Sequence, residues 1–305
     1  SVGMSSQRLA RIDAMAKSAI EDGDVPGLVA IVARKGKIVY HKAYGVADVA
    51  SGRALKKDDI FRIASQTKAI TATAVMMLWE EAHFRLDDPI SKYIPEFKNP
   101  QILDSYSIAD GTYKTIPAKR EITIRHLLTH SSGIGYGFAD GDDRMKLIFK
   151  KAGIIDGWTT EPVVLADNIK KLASLPLHFH PGDQYKYSEG LDVLGYLIEI
   201  ISGMTFAEFL ETRLFRPLGM KDTYFYLPES KTDRMVTVHQ PKDGKWVKYT
   251  GIPEYYDADY PIKGAKTHFG GGGGLSSTAK DYATFLQMYI NGGELKGTRF
   301  LSRKT

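Results

Sequence analysis

Apolar residues at Leu9, Ile12, Met15, Ala16, Ala19 and Ile20 recur at helical spacing, and Gly23 stops the run, so residues 5–22 read as an amphipathic helix. The pattern then changes period. GLVAIVARKGKIVYHKAYG (27–45) is two β-rich runs around Lys35-Gly36, a hairpin signal. From Ser65 it turns helical again, with Ile70, Ala74, Met77 and Leu78 on one face. LDDPISKYIPEF (86–97) reads as loop and turn, and residues 98–120 as an irregular excursion. Thr123 is placed to cap a short helix, IRHLLTH, closed by Ser132-Gly133. Residues 134–162 read as Gly-rich and irregular with one helical piece, and a helix follows near 163–174. After the loop LPLHFHPGDQYKYSEG come two more helices, LDVLGYLIEIISG (191–203) and TFAEFLETRLFRPLGM (205–220).

Past residue 230 strand patterns return. RMVTVHQ and KWVKYT flank Pro241-Lys242-Asp243-Gly244, a second hairpin. Five glycines, 270–274, then lead through LSST into the helix AKDYATFLQMYING. This order predicts an α/β (α+β) fold: an antiparallel sheet flanked by helices and built from both chain ends, with a large helical insertion. The sheet part is expected from residues 1–64 and 225–305 and the helical part from 65–224. The cleft between them is the natural place for a site.

Composition changes this picture little. The chain has 305 residues, 43% hydrophobic and 25% charged, as in ordinary globular proteins. Its net charge of +5 is spread over alternating signs, which reads as a mildly basic surface and not a nucleic-acid footprint. Cysteine is absent, which excludes disulfides, thiol nucleophiles and Cys-based metal sites. No apolar run approaches the ~18 residues of a membrane span. The N-terminus lacks an apolar signal core and does not begin with Met; an exported, periplasmic location is slightly favoured over a cytoplasmic one.

The candidate chemistry starts at RIASQTKAI (62–70), where a serine precedes a lysine by three residues at a helix start. The spacing S-x-x-K is weak by itself, because it occurs twice: Ser65…Lys68 and Ser277…Lys280. Context favours the first. Positions i and i+3 share a helix face, so Lys68 can approach the Ser65 hydroxyl. The helix N-terminus offers free N–H groups to an oxyanion, and the apolar flank would partly desolvate the lysine. Ser277…Lys280 reads as an N-cap with a solvated lysine. A Ser/Lys pair needs a third group to pass the proton on. The loop PGDQYKYSEG (181–190) is the best source, although for one of the chain's 17 tyrosines a core residue in a turn is, by itself, the favoured reading.

Four segments together resemble a known family. SQTK at 65–68, HLLTHSSG at 126–133, PG-x-x-x-x-YS at 181–188 and GGGLSSTAKDYATF at 272–285 are similar to the class C β-lactamase-like serine hydrolases. That group includes class C β-lactamases, D-alanyl-D-alanine carboxypeptidases and family VIII carboxylesterases. The resemblance implies a nucleophile at Ser65, a lysine at Lys68 and a catalytic tyrosine at Tyr187. Tyr185 would point the same way along an extended segment and line the site with Glu189, Gly273 and Gly274 as substrate contacts. No metal or cofactor is implied, and the partner is a small ester or amide.

Two departures stand out. The family's Tyr-x-Asn is Tyr187-Ser188-Glu189 here. In the cleft an ionised Glu189 would pair with Lys68 and turn the preference from β-lactams towards neutral or cationic esters. The family's Lys-Thr-Gly or His-x-Gly strand follows the glycine segment, whereas this sequence stops at Thr305 before one. That predicts a chain, or a site, that other residues complete. The expected activity is therefore ester or amide hydrolysis through an acyl-enzyme at Ser65. A D-peptidase, a weak β-lactamase or an inactive binding homologue are the alternatives.

His178-x-His180 and His126…His130 have metal-like spacing without the carboxylates to complete a site. They read as loop and capping residues.

Overall fold

The computed structural model describes residues 2–305. Helix α1 (Ser6–Glu21) lies on the antiparallel hairpin of β1 (Gly27–Arg34) and β2 (Lys37–Asp48). Lys35 and Gly36 both take positive φ, 53° and 70°, the twist that a two-residue hairpin turn requires. Asp13 of α1 fastens helix to sheet by accepting from Tyr40 Oη at 2.7 Å and from Lys42 Nζ at 2.9 Å. A short strand, β3 (Arg53–Ala54), extends the sheet beyond β2.

The chain then enters β4 (Phe61–Arg62), makes one 3₁₀ turn over Ala64–Gln66 and runs into α2 (Thr67–Glu80). A hairpin follows, β5 (Gln101–Tyr106) and β6 (Tyr113–Pro117), where an irregular excursion was expected. Only Ile102 of its strand residues is buried, so the apolar signal is faint. The Asp110-Gly111 turn dipeptide was the readable cue. The helical part continues with α3 (Ile124–Leu128), α4 (Asp143–Ala152), α5 (Leu165–Ala173) and α6 (Gly190–Ser202). Thr123 caps α3 as expected: its hydroxyl accepts the His126 N–H, and His126 Nδ1 accepts the Thr123 N–H. The single helix expected over 205–220 is instead α7 (Phe206–Leu210), a π turn (Glu211–Phe215) and α8 (Arg216–Leu218). Pro217 has no N–H to return to the preceding turn, so an unbroken α pattern could not persist.

Helix α6 is the pillar of this part. Leu191, Val193, Leu194, Leu197 and Ile198 are all buried, and the helix packs on α2, α3, α5 and α7. Each such side chain contributes on the order of 1.5–3 kcal/mol by leaving water.

The second hairpin is β7 (His239–Lys242) and β8 (Lys245–Lys248), with Asp243-Gly244 at its turn. Two-residue strands β9 (Gly251–Ile252) and β10 (Tyr256–Asp257) pair next, and α9 (Tyr260–Lys263) follows. The glycine run leads into β11 (Ser276–Ser277) and α10 (Ala279–Ile290). The two ends of the chain meet here: β11 pairs antiparallel with β4, and α10 packs on β1. Thr278, not Ser277, caps α10, through its hydroxyl and the Asp281 N–H. No single helix among the described residues is long and apolar enough to cross a membrane.

Candidate active site

Ser65 sits in the middle of the 3₁₀ turn before α2, with its side chain exposed. Ala64, just before it, is held at φ +42°, an uncommon conformation for a residue with a Cβ, of the kind that gathers at functional sites. The turn lifts Ser65 clear of the β4 ladder and onto the first turn of the helix. Lys68, one turn on, is half-buried and reaches back to Ser65 Oγ at 3.5 Å.

The tyrosine arrives from the loop before α6. That loop lies alongside the turn after α3: Gly182 N–H donates to Ser131 O at 2.7 Å and Lys186 N–H to His130 O at 2.8 Å. Asp140, buried beneath, accepts from Lys186 Nζ at 2.7 Å and pairs with His178 Nε2 at 2.9 Å. Thus HLLTHSSG and PGDQYKYSEG, far apart in sequence, are two sides of one built corner. It delivers the Tyr187 Oη to 2.6 Å from Ser65 Oγ.

The Tyr187 ring is held on both faces. Tyr136 stacks on it, centroids 5.6 Å apart and planes at 9°, and the His130 ring lies 4.7 Å away. Lys68 Nζ is 4.4 Å from the Tyr187 ring centroid and 5.8 Å from that of Tyr136, within cation–π range. His130 Nδ1 accepts the Ser188 N–H at 3.2 Å, which places its ring proton on Nε2. Burial, with the charge of Lys68 adding to it, lowers the His130 pKa to about 4, so His130 is a neutral prop near pH 7.

The glycine run forms the opposite wall. It is a turn rather than a strand, and Lys68 Nζ donates to the Gly272 carbonyl at 2.6 Å. Thr71 Oγ1 donates to Gly271 O at 2.7 Å, and Thr67 Oγ1 accepts the Leu275 N–H at 3.2 Å, so α2 itself anchors the run. Glycine is required by close approach. A Cβ on Gly272 would lie 2.5 Å from Asp192 Oδ2, and one on Gly273 2.5 Å from the Trp158 ring. The Gly273 carbonyl accepts the Trp158 indole N–H at 3.1 Å.

Ser65, Lys68 and Tyr187 therefore converge. Tyr185 and Gly274 make no hydrogen bond or ring contact with these three among the described residues, and Glu189 is a correction. Tyr185 is exposed, and its ring packs T-shaped against that of His130 with centroids 6.0 Å apart. Gly274 packs under Phe225. Glu189 is buried, 1% exposed, its acidic neighbours are Asp156 and Asp192, and it forms no ion pair with Lys68 among the described residues. Residues 187 and 189 do not share a face because α6 begins at Gly190 with Glu189 as its N-cap, so the extended segment has ended. Burial, reinforced by the charge of Asp156, raises the Glu189 carboxyl well above its usual range, and burial raises Asp156 as well. Neither Asp156 Oδ1 nor Glu189 Oε1 has a hydrogen-bond partner among the described residues, as expected where burial favours the neutral carboxyls. The argument that Glu189 repels β-lactam carboxylates thus loses its footing.

Sequence reasoning missed Tyr136, Trp158, the supporting role of His130, and Asp192. Their signals were weak: an aromatic in a Gly-rich stretch, and one acid on an otherwise apolar helix face. Among the described residues no three His, Cys, Asp or Glu side chains gather as metal ligands, and His178 and His180 serve the loop.

A helix cap has no need of a phenol 2.6 Å from its serine, nor of an amine over the face of the same ring. That cluster, in a mixed α/β chain whose helical part lies between its two ends, marks the β-lactamase and transpeptidase fold class of serine hydrolases. The chain belongs to the β-lactamase family, whose model matches residues 12–305. It is 39% identical over 220 residues to Esterase EstB of Burkholderia gladioli, covering 72% of this chain and 52% of the esterase. It is 31% identical over 285 residues to the Lovastatin esterase of Penicillium rubens, covering 92% and 68%. Among solved structures it resembles EstCE1, a hydrolase with promiscuous acyltransferase activity, at TM-score 0.80 and 25% identity, over 97% of this chain and 74% of that one. The chain spans about half to two-thirds of the length of the curated relatives it matches.

Proposed function

We propose that this chain carries the catalytic centre of an esterase-like serine hydrolase of class C β-lactamase type, working by acyl transfer. The observation that carries the reading is the 2.6 Å contact between Ser65 Oγ and Tyr187 Oη with Lys68 over the same ring. Ser65 Oγ attacks the carbonyl carbon of a small ester, and Tyr187, acting as its phenolate, takes the hydroxyl proton as the C–O bond forms. The Lys68 ammonium, beside both groups and fixed by the Gly272 carbonyl, offsets the negative charge of that phenolate before the proton arrives. Tyr187 returns the proton to the departing alcohol. Water then repeats the sequence on the acyl-enzyme and frees Ser65.

The choice of ester over β-lactam rests on the relatives named as esterases, since Glu189 does not face substrate. The test is turnover of p-nitrophenyl butyrate beside nitrocefin. The reading expects a higher kcat/KM for the ester and loss of both activities in Ser65→Ala. Nitrocefin as the better substrate would overturn the esterase assignment, and turnover surviving in Ser65→Ala would overturn the nucleophile.

A further inference from the structure

Helix α6 carries a carboxylate where packing alone would choose a leucine. Asp192 is 4% exposed and is flanked by the buried Leu191 and Val193. Burying a carboxylate costs several kcal/mol unless hydrogen bonds or charges compensate it, so such a residue demands a reason. No lysine or arginine forms an ion pair with it among the described residues. Its Oδ1 instead accepts the Gly272 N–H at 3.1 Å. The carbonyl of that same glycine accepts from Lys68 Nζ at 2.6 Å. One residue of backbone, with no side chain of its own, thus links a buried acid to the amine beside Ser65.

We propose that Asp192 is a positioning residue: its carboxylate holds the Gly272 backbone, and that backbone holds the Lys68 amine against Ser65 and Tyr187. The proposal rests on the reading of Ser65, Lys68 and Tyr187 as the reacting groups. The surroundings fit it. Tyr136, Asp156 and Glu189 lie near this part of α6, and burial pushes both carboxyls, of Asp156 and Glu189, up towards the neutral form. Burial raises the Asp192 pKa to about 6, opposed by the Gly272 N–H and the charge of Lys68, both of which favour the carboxylate. A mere helix-dipole role in the first turn of α6 would need neither the aim at Gly272 nor the burial.

The experiment compares Asp192→Ala, Asp192→Asn, Ser65→Ala and wild type in the full chain. It measures kcat and KM for p-nitrophenyl butyrate, normalised to Ser65 titrated by a fluorophosphonate, together with Tm at pH 7.5. Asp192→Ala is expected to lower kcat roughly 10–100-fold, the cost of a slightly misplaced catalytic group, with KM within about threefold. Asp192→Asn, which keeps a carbonyl acceptor for the Gly272 N–H, should fall between Ala and wild type without losing Tm. A structural role alone would lower Tm and the titrated fraction but leave kcat per titrated serine unchanged. The proposal is overturned if Asp192→Ala stays within threefold of wild-type kcat, if only KM moves, or if Asn is no better than Ala. Those results with an inactive Ser65→Ala leave the catalytic reading standing, whereas an active Ser65→Ala overturns that reading and the role of Asp192 with it.

Discussion

The chain contains the same four-residue pattern twice, and the two copies lie side by side. β4 leads into Ser65…Lys68 and α2, while β11 leads into Ser277…Lys280 and α10; the two strands are hydrogen-bonded, with Ser277 opposite Phe61. Ser277 is still in the ladder, so its side chain points inward and exchanges a hydrogen bond with Thr223 at 2.7 Å. Its lysine is exposed and Thr278 does the capping. Ser65 comes three residues after its strand ends. A 3₁₀ turn with Ala64 at positive φ throws it out to the cleft, where a second loop supplies the phenol. The spacing is identical. What differs is the offset of the serine from the end of its strand, and the elements that face it.

The largest test of this contrast is chemical. Ser65→Ala should abolish fluorophosphonate labelling and cut ester turnover by about 10⁴-fold or more, as expected when a nucleophile is removed. Ser277→Ala should leave the turnover of the folded protein within about threefold and cost about 1 kcal/mol of stability for the lost hydrogen bond. Label mapped to Ser277 by mass spectrometry would end the comparison.

Next comes the phenol that only one serine possesses. Tyr187→Phe should lower kcat by roughly 10²–10⁴, the general acid–base scale, while Tyr185→Phe stays close to wild type. A larger loss at Tyr185 would mean that the wrong tyrosine had been placed beside Ser65.

The corner that holds Tyr187 should also make stability sensitive to acid. His130 has a pKa of about 4 in the fold against ~6.5 in an unfolded chain, because burial disfavours its charged form. Between these values the unfolded chain binds a proton that the folded one does not. The contribution is therefore complete above about pH 6.5 and is lost as pH falls towards 4. His130→Asn keeps an acceptor for the Ser188 N–H, tolerates the positive φ of 54° and does not titrate. Its Tm should fall less than that of wild type between pH 7 and pH 5; parallel Tm curves would dismiss the argument.

The smallest effect belongs to the second copy alone. Thr278→Ala removes the α10 cap and should cost about 1 kcal/mol, read as a lower urea midpoint, with ester kcat unchanged. A drop in kcat would show that α10 is coupled to the cleft more tightly than the capping role implies.

Most of the helices were legible because their apolar faces repeat with a period set by local geometry. α1, α5, α6 and α10 fall within a residue or two of where periodicity and caps put them. The β5–β6 strands were not legible, since with Ile102 alone buried they show no apolar alternation, and only the Asp110-Gly111 turn hinted at them. Glu189 was misplaced for a related reason. Alternation along 185, 187 and 189 holds only while the chain stays extended, and it ends where α6 starts.

Ser65, Lys68 and Tyr187 could be named from the sequence because their motifs are local: a spacing of three on a helix and a loop signature. The sequence also determined the order of elements and the absence of thiol chemistry. It could not show that Tyr136 and His130 lie against the Tyr187 ring, or that the Gly272 backbone joins Asp192 to Lys68. Those facts depend on contacts between residues 65, 136, 187, 192 and 272. Only burial of the helical core brings these together, and the energy of that burial is spread over side chains that carry no chemical signature.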